Sequence, residues 1–291
     1  MKNIIIIILL ILFNAVAALS QVRPFDNSKA ILPWIYNPTA QMPTDFQAYV
    51  GYDGRGKGNF TPQTFLAGAR MPIAGHNSPV SRRASGVAGV QVLNTSQTLI
   101  NTLTVNLSYA QQLWLNNSTM VAFGLGGGIY SMSYDHDELV YMDGDDNLLK
   151  NGENLFSLHL NTGISLVMDD KLFINLAAPY LLKNEGVNIK EIIVRAGYAF
   201  DITHELKLIP SANLDTYNGN MIYGGDLRME WRKILSFMAG ADVYKYHGGL
   251  LLNLEGFAFG YTYGRNYSEV INSIQSHQIS LIGSFSNLKE R

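Results

Sequence analysis

A chain of 291 residues with a formal net charge of −2 and a pI near 6.3 gives no electrostatic basis for binding nucleic acid. It has no cysteine, which excludes a disulfide framework, thiol catalysis and thiolate metal sites. Charged residues are only 15%, while Gly (27), Tyr (16) and Phe (13) are abundant and mean hydropathy is +0.05, a balance unlike that of ordinary globular chains.

The first element is a leader. Met1-Lys2-Asn3 is a short positive start, Ile4 to Phe13 is an unbroken apolar run, and Ala15-Val16-Ala17-Ala18-Leu19-Ser20 supplies the small residues before polar Gln21. That three-part layout is a secretory signal peptide, residues 1–20, cut after Ser20. The apolar run is too short for a good spanning helix, and no later run approaches the ~20 residues one needs. Roughly 270 residues remain, enough for a single barrel domain. Residues 21–45 are Pro-rich and hold Trp34, Tyr36 and the turn Asn37-Pro38. They read as an N-terminal periplasmic or lumen-plugging arm, with a plain flexible leader as the alternative.

From Phe46 onward the pattern has period two, the signal of strands. Leu103, Val105, Leu107 and Tyr109 alternate with Thr102, Thr104, Asn106 and Ser108. Phe156, Leu158, Leu160 and Ile164 alternate with Ser157, His159, Asn161 and Ser165; Tyr223, Leu227, Met229 and Trp231 alternate with Gly224, Asp226, Arg228 and Glu230. Turn signals at Asn116-Asn117, Asp169-Asp170, Asn218-Gly219, Arg232-Lys233 and His247-Gly248 divide residues 46–286 into about fourteen strands. The fold class predicted is all-β, a transmembrane antiparallel outer-membrane barrel, followed by a tail over 287–291. Loop parity agrees with an even count. The two longest connections, Asp135–Glu153 and Arg265–Ile274, are odd-numbered and so extracellular when both ends of the chain are periplasmic. Ala74–Arg83 is a long link on the predicted periplasmic side. Ile279, Leu281 and Phe285 give the last strand an alternating, aromatic-ended close.

Placing the apolar face toward lipid leaves a polar inner face, to which the alternation assigns His159, Arg195, Asp201, Asp226, Arg228, Glu230, Asp242 and Glu255. Mixed signs so close together predict an ion-paired network bracing the wall, with a polar seat for a peptide or for the arm as the alternative. Asp135, Asp137, Glu138, Asp143, Asp145 and Asp146 put six carboxylates in two clusters of the loop Asp135–Glu153, but Leu148 and Asn154 break the calcium-loop pattern begun by Asp143, Asp145 and Asn147. Gly124-Leu125-Gly126-Gly127-Gly128 lies inside a strand and is no phosphate loop; there it permits a bend or the close packing of a plug. No serine occupies a nucleophile elbow, the histidines lack metal-ligand spacing, and no catalytic residue, cofactor or metal site is expected.

Several short motifs, in this order, resemble the PorP/SprF family of outer-membrane proteins. They are Ile35-Tyr36-Asn37-Pro38-Thr39-Ala40, Pro62-Gln63-Thr64-Phe65 through Met71-Pro72-Ile73, and Gly86-Val87-Ala88-Gly89-Val90. Asp170-Lys171-Leu172-Phe173 to Pro179-Tyr180-Leu181-Leu182, Arg195-Ala196-Gly197-Tyr198 and Gly260-Tyr261-Thr262-Tyr263 follow, and Ser276-His277-Gln278-Ile279 closes the set. Gln41-Met42 stands where the family usually continues to Gly, which marks a divergent member.

The resemblance implies a non-enzymatic component of the type IX secretion system of Bacteroidetes. It implies work with outer-membrane lipid, the translocon and periplasmic ring components. It further implies binding of the C-terminal domain of a cognate secreted adhesin, in some members for gliding motility. The family-motif turn is Tyr36, Asn37 and Pro38. The alternative reading is a channel for small or hydrophobic solutes; a barrel-embedded hydrolase lacks its Ser-His pair.

Overall fold

The computed structural model describes residues 27, 29, 31–56, 61–73, 84–97, 100–134, 155–179, 191–217, 220–267 and 275–285. The leader 1–20, the acidic loop 135–153 and the tail 287–291 lie outside the described residues. Fourteen strands make one closed wall: β1 (Phe46–Arg55), β2 (Gln63–Ile73), β3 (Ala84–Gln97), β4 (Ile100–Trp114), β5 (Thr119–Tyr134), β6 (Leu155–Met168) and β7 (Leu172–Ala178) lead it. β8 is Glu191–Tyr198, resumed at Phe200–Asp201 after a one-residue break, and β9 (Leu206–Tyr217), β10 (Asn220–Trp231), β11 (Leu235–Asp242), β12 (Lys245–Leu254), β13 (Phe257–Asn266) and β14 (Gln275–Phe285) complete it. Every strand pairs antiparallel with its sequence neighbours. β14 returns to β1 in a register running from Phe46↔Phe285 to Arg55↔Ser276. Closure leaves no unpaired edge to aggregate or to strand polar backbone groups in lipid.

Polarity is inverted relative to a soluble sandwich. On β6, Phe156, Leu158, Leu160 and Ile164 are exposed, whereas Ser157, His159, Asn161 and Ser165 are buried. Leu125, on β5, is the extreme case at 70% exposure. An apolar outer belt around a polar interior is stable only where lipid replaces water outside. Rings gather at both rims: Phe46, Phe257 and Phe285 cluster at one, and Tyr52 with Phe65 and Tyr246 with Tyr267 lie toward the other. Such girdles suit the interfacial region, where an amphipathic ring has one wet side. β3 to β6 run 14, 15, 16 and 14 residues. They exceed the roughly 9–11 a tilted strand needs to cross the hydrocarbon, so this part of the wall projects beyond it.

One turn differs from the sequence reading. The hairpin expected at His247-Gly248 forms at Val243-Tyr244, because Asp242 Oδ1 accepts from the backbone N–H groups of Tyr244 (2.8 Å) and Lys245 (3.0 Å). His247 and both following glycines therefore belong to β12. β3 runs through Asn94-Thr95-Ser96-Gln97 and pairs there with the start of β4. Thr95 is β-branched and its hydroxyl is 2.8 Å from that of Thr64 on β2, while Asn94, Ser96 and Gln97 are exposed where the strand projects beyond the hydrocarbon.

The tight connections after β4, β6, β8, β10 and β12 all sit at the rim where β1 begins and β14 ends. By the rule of short periplasmic turns this rim is periplasmic.

Candidate functional site in the barrel lumen

Residues Ile31 to Gln41 lie inside the cylinder. Pro33 opens a single 3-10 turn, Pro33–Ile35. Asn37 Oδ1 then accepts from Thr39 N–H (3.0 Å) and Thr39 Oγ1 (2.7 Å), an Asx turn that reverses the chain locally. Ile31, Leu32, Trp34, Ile35 and Tyr36 are buried, giving the lumen an apolar centre that includes Tyr49, Leu66 and Ile193 from the wall.

The polar contacts fix the path of this segment. Lys245 Nζ, at the outer end of β12, donates to Asn27 Oδ1 (2.7 Å). Lys29 pairs with fully buried Asp215, and Arg195 Nη1 donates to the Lys29 carbonyl (2.8 Å). Lower down, the Thr39 and Ser165 hydroxyls are 2.6 Å apart, and Ser165 donates on to Asn175 Oδ1 (2.6 Å). Near the periplasmic rim Arg70 donates to the carbonyls of Gln41 (3.0 Å) and Ala40 (3.2 Å) while its guanidinium lies 5.1 Å from the Trp34 ring centroid. Trp34 in turn meets Tyr49 edge-on at 6.0 Å. The segment thus descends the lumen from the outer end to the start of β1.

Wall glycines are the slots it uses. A Cβ on Gly124 would lie 2.8 Å from Thr39 Cγ2 and 2.9 Å from Pro38 Cγ, and one on Gly163 would fall on the Asn37 side chain. The motif turn Tyr36-Asn37-Pro38 is therefore seated where β5 and β6 have no side chain. Gly126 and Gly128 serve the wall instead, making room for Asn161 and for the His159–Asn106 contact.

The charged inner residues form separate groups. Arg195 Nη2 is 3.7 Å from Asp226 Oδ2 and donates to Ser211 Oγ (3.0 Å). Asp226 Oδ1 lies 2.6 Å from His247 Nε2, across Gly240 of the intervening strand. Arg228 Nη2 and Glu230 Oε1 are 3.1 Å apart. His159 is buried two strands from this group in sequence and meets Asn106 across Gly128. Asp242 is spent on the turn above.

Glu255 and Asp201 do not belong to the inner network. Glu255 sits in the exposed turn with Gly256 between β12 and β13, because two-residue closure takes it out of the alternation. Asp201 lies exposed at the rim between Lys171 Nζ (3.0 Å) and Lys207 Nζ (3.6 Å). That contact raises the Lys171 ammonium above its ordinary value, and a hydrogen bond from Arg232 holds the Glu205 carboxyl in the next turn below its own.

Sequence reasoning missed Asp53 and Arg55, whose buried pair is 2.8 Å apart and takes a further donor from Ser276 Oγ (3.0 Å). The spacing Asp53-Gly54-Arg55 places both on one strand face, a signal that was available. It also missed Arg70, Asp215, Lys245 and His247, each of which meets a partner distant in the chain.

Beneath the arm, between it and β4 to β10, is a cavity of about 360 Å³. Thr39, Gln41 and Met42 form its roof; Phe173, Arg195 and Arg228 stand in its wall, and Lys171 and Lys207 at its periplasmic edge. Among the described residues no cluster of three metal-ligating side chains occurs.

Residues 46–282, the wall almost from end to end, match the family described as type IX secretion system membrane protein PorP/SprF. The chain belongs to the PorP/SprF family. No curated protein matches it.

Among solved structures, this PorP/SprF chain is similar to the CymD monoaromatic hydrocarbon channel, with TM-score 0.54, 11% identity, and 85% of this chain and 90% of that one covered. It is similar also to the Pseudomonas putida toluene transporter TodX, with TM-score 0.52, 9% identity and coverage of 87% and 92%. The Acinetobacter baumannii outer membrane protein Omp33 follows, with TM-score 0.51, 10% identity and coverage of 83% and 98%. At such identities the likeness is one of fold: PorP/SprF here is an outer-membrane β-barrel. The motif turn at Tyr36-Asn37-Pro38 lies ahead of the matched span, on the segment inside the lumen.

Proposed function

We propose that this PorP/SprF protein is a non-enzymatic part of the secretion apparatus that supports export and surface anchoring of a cognate large adhesin or similar cargo. In this reading it binds the C-terminal targeting domain of the cargo and works with the translocon and the periplasmic ring. Residues 1–20 are its leader, residues 21–45 an arm that closes the lumen, and residues 46–286 the barrel that carries both. The observation that carries the reading is the family match over the wall together with a lumen in which Ile31, Leu32, Trp34, Ile35 and Tyr36 of the arm lie buried. The inner ion pairs brace that filled wall; each unpaired charge there would be expensive.

Deleting the gene should abolish surface display of one large adhesin while leaving uptake of small solutes intact. Normal display of every adhesin in the deletion strain refutes the proposal. A channel for apolar solutes is the second reading, favoured by the barrel likeness to CymD and TodX, both described as hydrocarbon channels or transporters. It requires steady conductance or solute flux through the intact protein, which the arm opposes.

A further inference from the structure

The cavity beneath the arm has features that bracing does not use. Its volume, about 360 Å³, is in the range of small-ligand sites and far beyond the ~30 Å³ of one water. Four cationic side chains line it, Lys171, Lys207, Arg195 and Arg228, against two carboxylates, Asp170 and Glu230. The other carboxylates that act on these cations, Asp201 and Asp169 on Lys171 and Asp226 and Asp215 on Arg195, are not in the cavity lining. Lys171 and Lys207 moreover share the single carboxylate of Asp201.

Arg195 adds a second, independent sign. Its Nη atoms are engaged, but its buried Nε has no hydrogen-bond partner among the described residues. A buried donor on a cation without a partner is costly, and a ligand acceptor relieves it. The lining also has uncharged polar residues, Gln112, Ser165 and Asn175 among them, and an apolar patch of Met120, Val167, Leu172 and Ile209 beside Phe173, over whose ring Arg195 is stacked at 5.7 Å. A cation-rich wall with an apolar floor fits an anionic group carried on an apolar body. Planar guanidinium donors and mobile ammonium groups select a carboxylate well.

We infer that this cavity is a binding site, entered from the periplasmic rim, for a carboxylate group borne on an apolar chain. Two sources share that chemistry: a free carboxylate amphiphile, or the carboxylate end of an extended polypeptide segment. The site does not depend on the secretion reading, since the amphiphile satisfies it equally.

The test uses the full mature protein in nanodiscs and titration calorimetry with three probes. These are laurate, an apolar pentapeptide with a free C-terminal carboxylate, and the same peptide amidated. At least one free acid should bind, the amide at least about tenfold more weakly than its acid wherever the peptide is the binder. The double variant Lys171→Gln/Lys207→Gln, confined to the exposed rim, should weaken the bound acid about tenfold while keeping the heat-modifiable gel mobility of a folded barrel. Arg195→Gln should weaken it further, and Lys233→Gln, in the next turn and outside the cavity lining, should not. Laurate binding alone identifies the amphiphile, peptide binding the polypeptide end. Binding of neither acid overturns the inference, and so does binding indifferent to amidation and to the double variant.

Discussion

Gly240 is the clearest case of a residue whose value lies in what it omits. Asp226 and His247 sit on β10 and β12, one on each side of it, and their side chains meet at 2.6 Å in the space over its backbone. A Cβ there would fall on Asp226 Oδ1 and lie 2.6 Å from His247 Nε2. Gly240→Ala should therefore destabilise the barrel by about 1–3 kcal/mol, the usual cost of overpacking, compounded by a disturbed buried hydrogen bond. Gly127 makes the control, since its Cβ would meet nothing closer than Leu160 Cδ2 at 3.4 Å. Gly127→Ala should be neutral or stabilising by about 0.5 kcal/mol, because Ala loses less entropy in a strand. Urea unfolding of the refolded barrels, followed by Trp fluorescence, reads both; equal midpoints for the two variants would refute the argument.

The same pair shows what was legible in the residues and what was not. Asp226, Arg228 and Glu230 announce an inner polar face by period two alone. His247 was hidden by the glycine after it, which reads as a turn, whereas the side chain that stops β11 is Asp242. Lys29–Asp215 and Asp53–Ser276 are 186 and 223 residues apart, and the sequence carries no term for such a meeting. Glu255 fails for the opposite reason: alternation was carried one residue too far into a turn.

At the scale of elements, the wall was readable because each strand repeats one physical demand, apolar to lipid and polar to lumen. Turn chemistry then divides the strands. Asp169, Asp170, Arg232 and Lys233 all take positive φ, from 51° to 57°, the geometry of tight hairpins between twisted strands. The arm was readable only as aromatics in a Pro-rich stretch. Its seat depends on glycines of β5 and β6 that could have served a bend equally well.

That seat can be tested directly, since the chain has no cysteine to interfere. The Thr39 and Ser165 hydroxyls are 2.6 Å apart, so Thr39→Cys/Ser165→Cys should crosslink on mild oxidation of the folded protein. The denatured, oxidised product should then migrate faster than the reduced one, because the crosslink holds a long loop closed. Equal migration after oxidation would mean that the arm does not occupy the lumen beside β6.

At the scale of the whole molecule, closure of the wall and filling of the lumen are separate achievements. The wall is held by β14 returning to β1 and needs nothing inside it to complete its backbone hydrogen bonds. The filling is held at points spread along the arm, among them Asn27 on Lys245, Lys29 on Asp215 and Arg195, the Ile35 carbonyl on Gln91, Thr39 on Ser165, and Ala40 with Gln41 on Arg70. An arm held by side-chain contacts around one apolar cluster, and by no strand pairing with the wall among the described residues, is removable without opening the sheet. Deletion of residues 27–42 behind an intact leader should thus leave a barrel that still folds and resists heat in gel mobility. It should convert a protein that passes no steady current in planar bilayers into one with stable conductance steps. Arg70→Gln, which removes the hold at the periplasmic end alone, should give brief openings between those extremes. Steady conductance from the intact protein would instead favour the channel reading. A deletion that folds yet stays shut would show that the wall's own side chains, Arg195 and Asp226 foremost, close the lumen unaided.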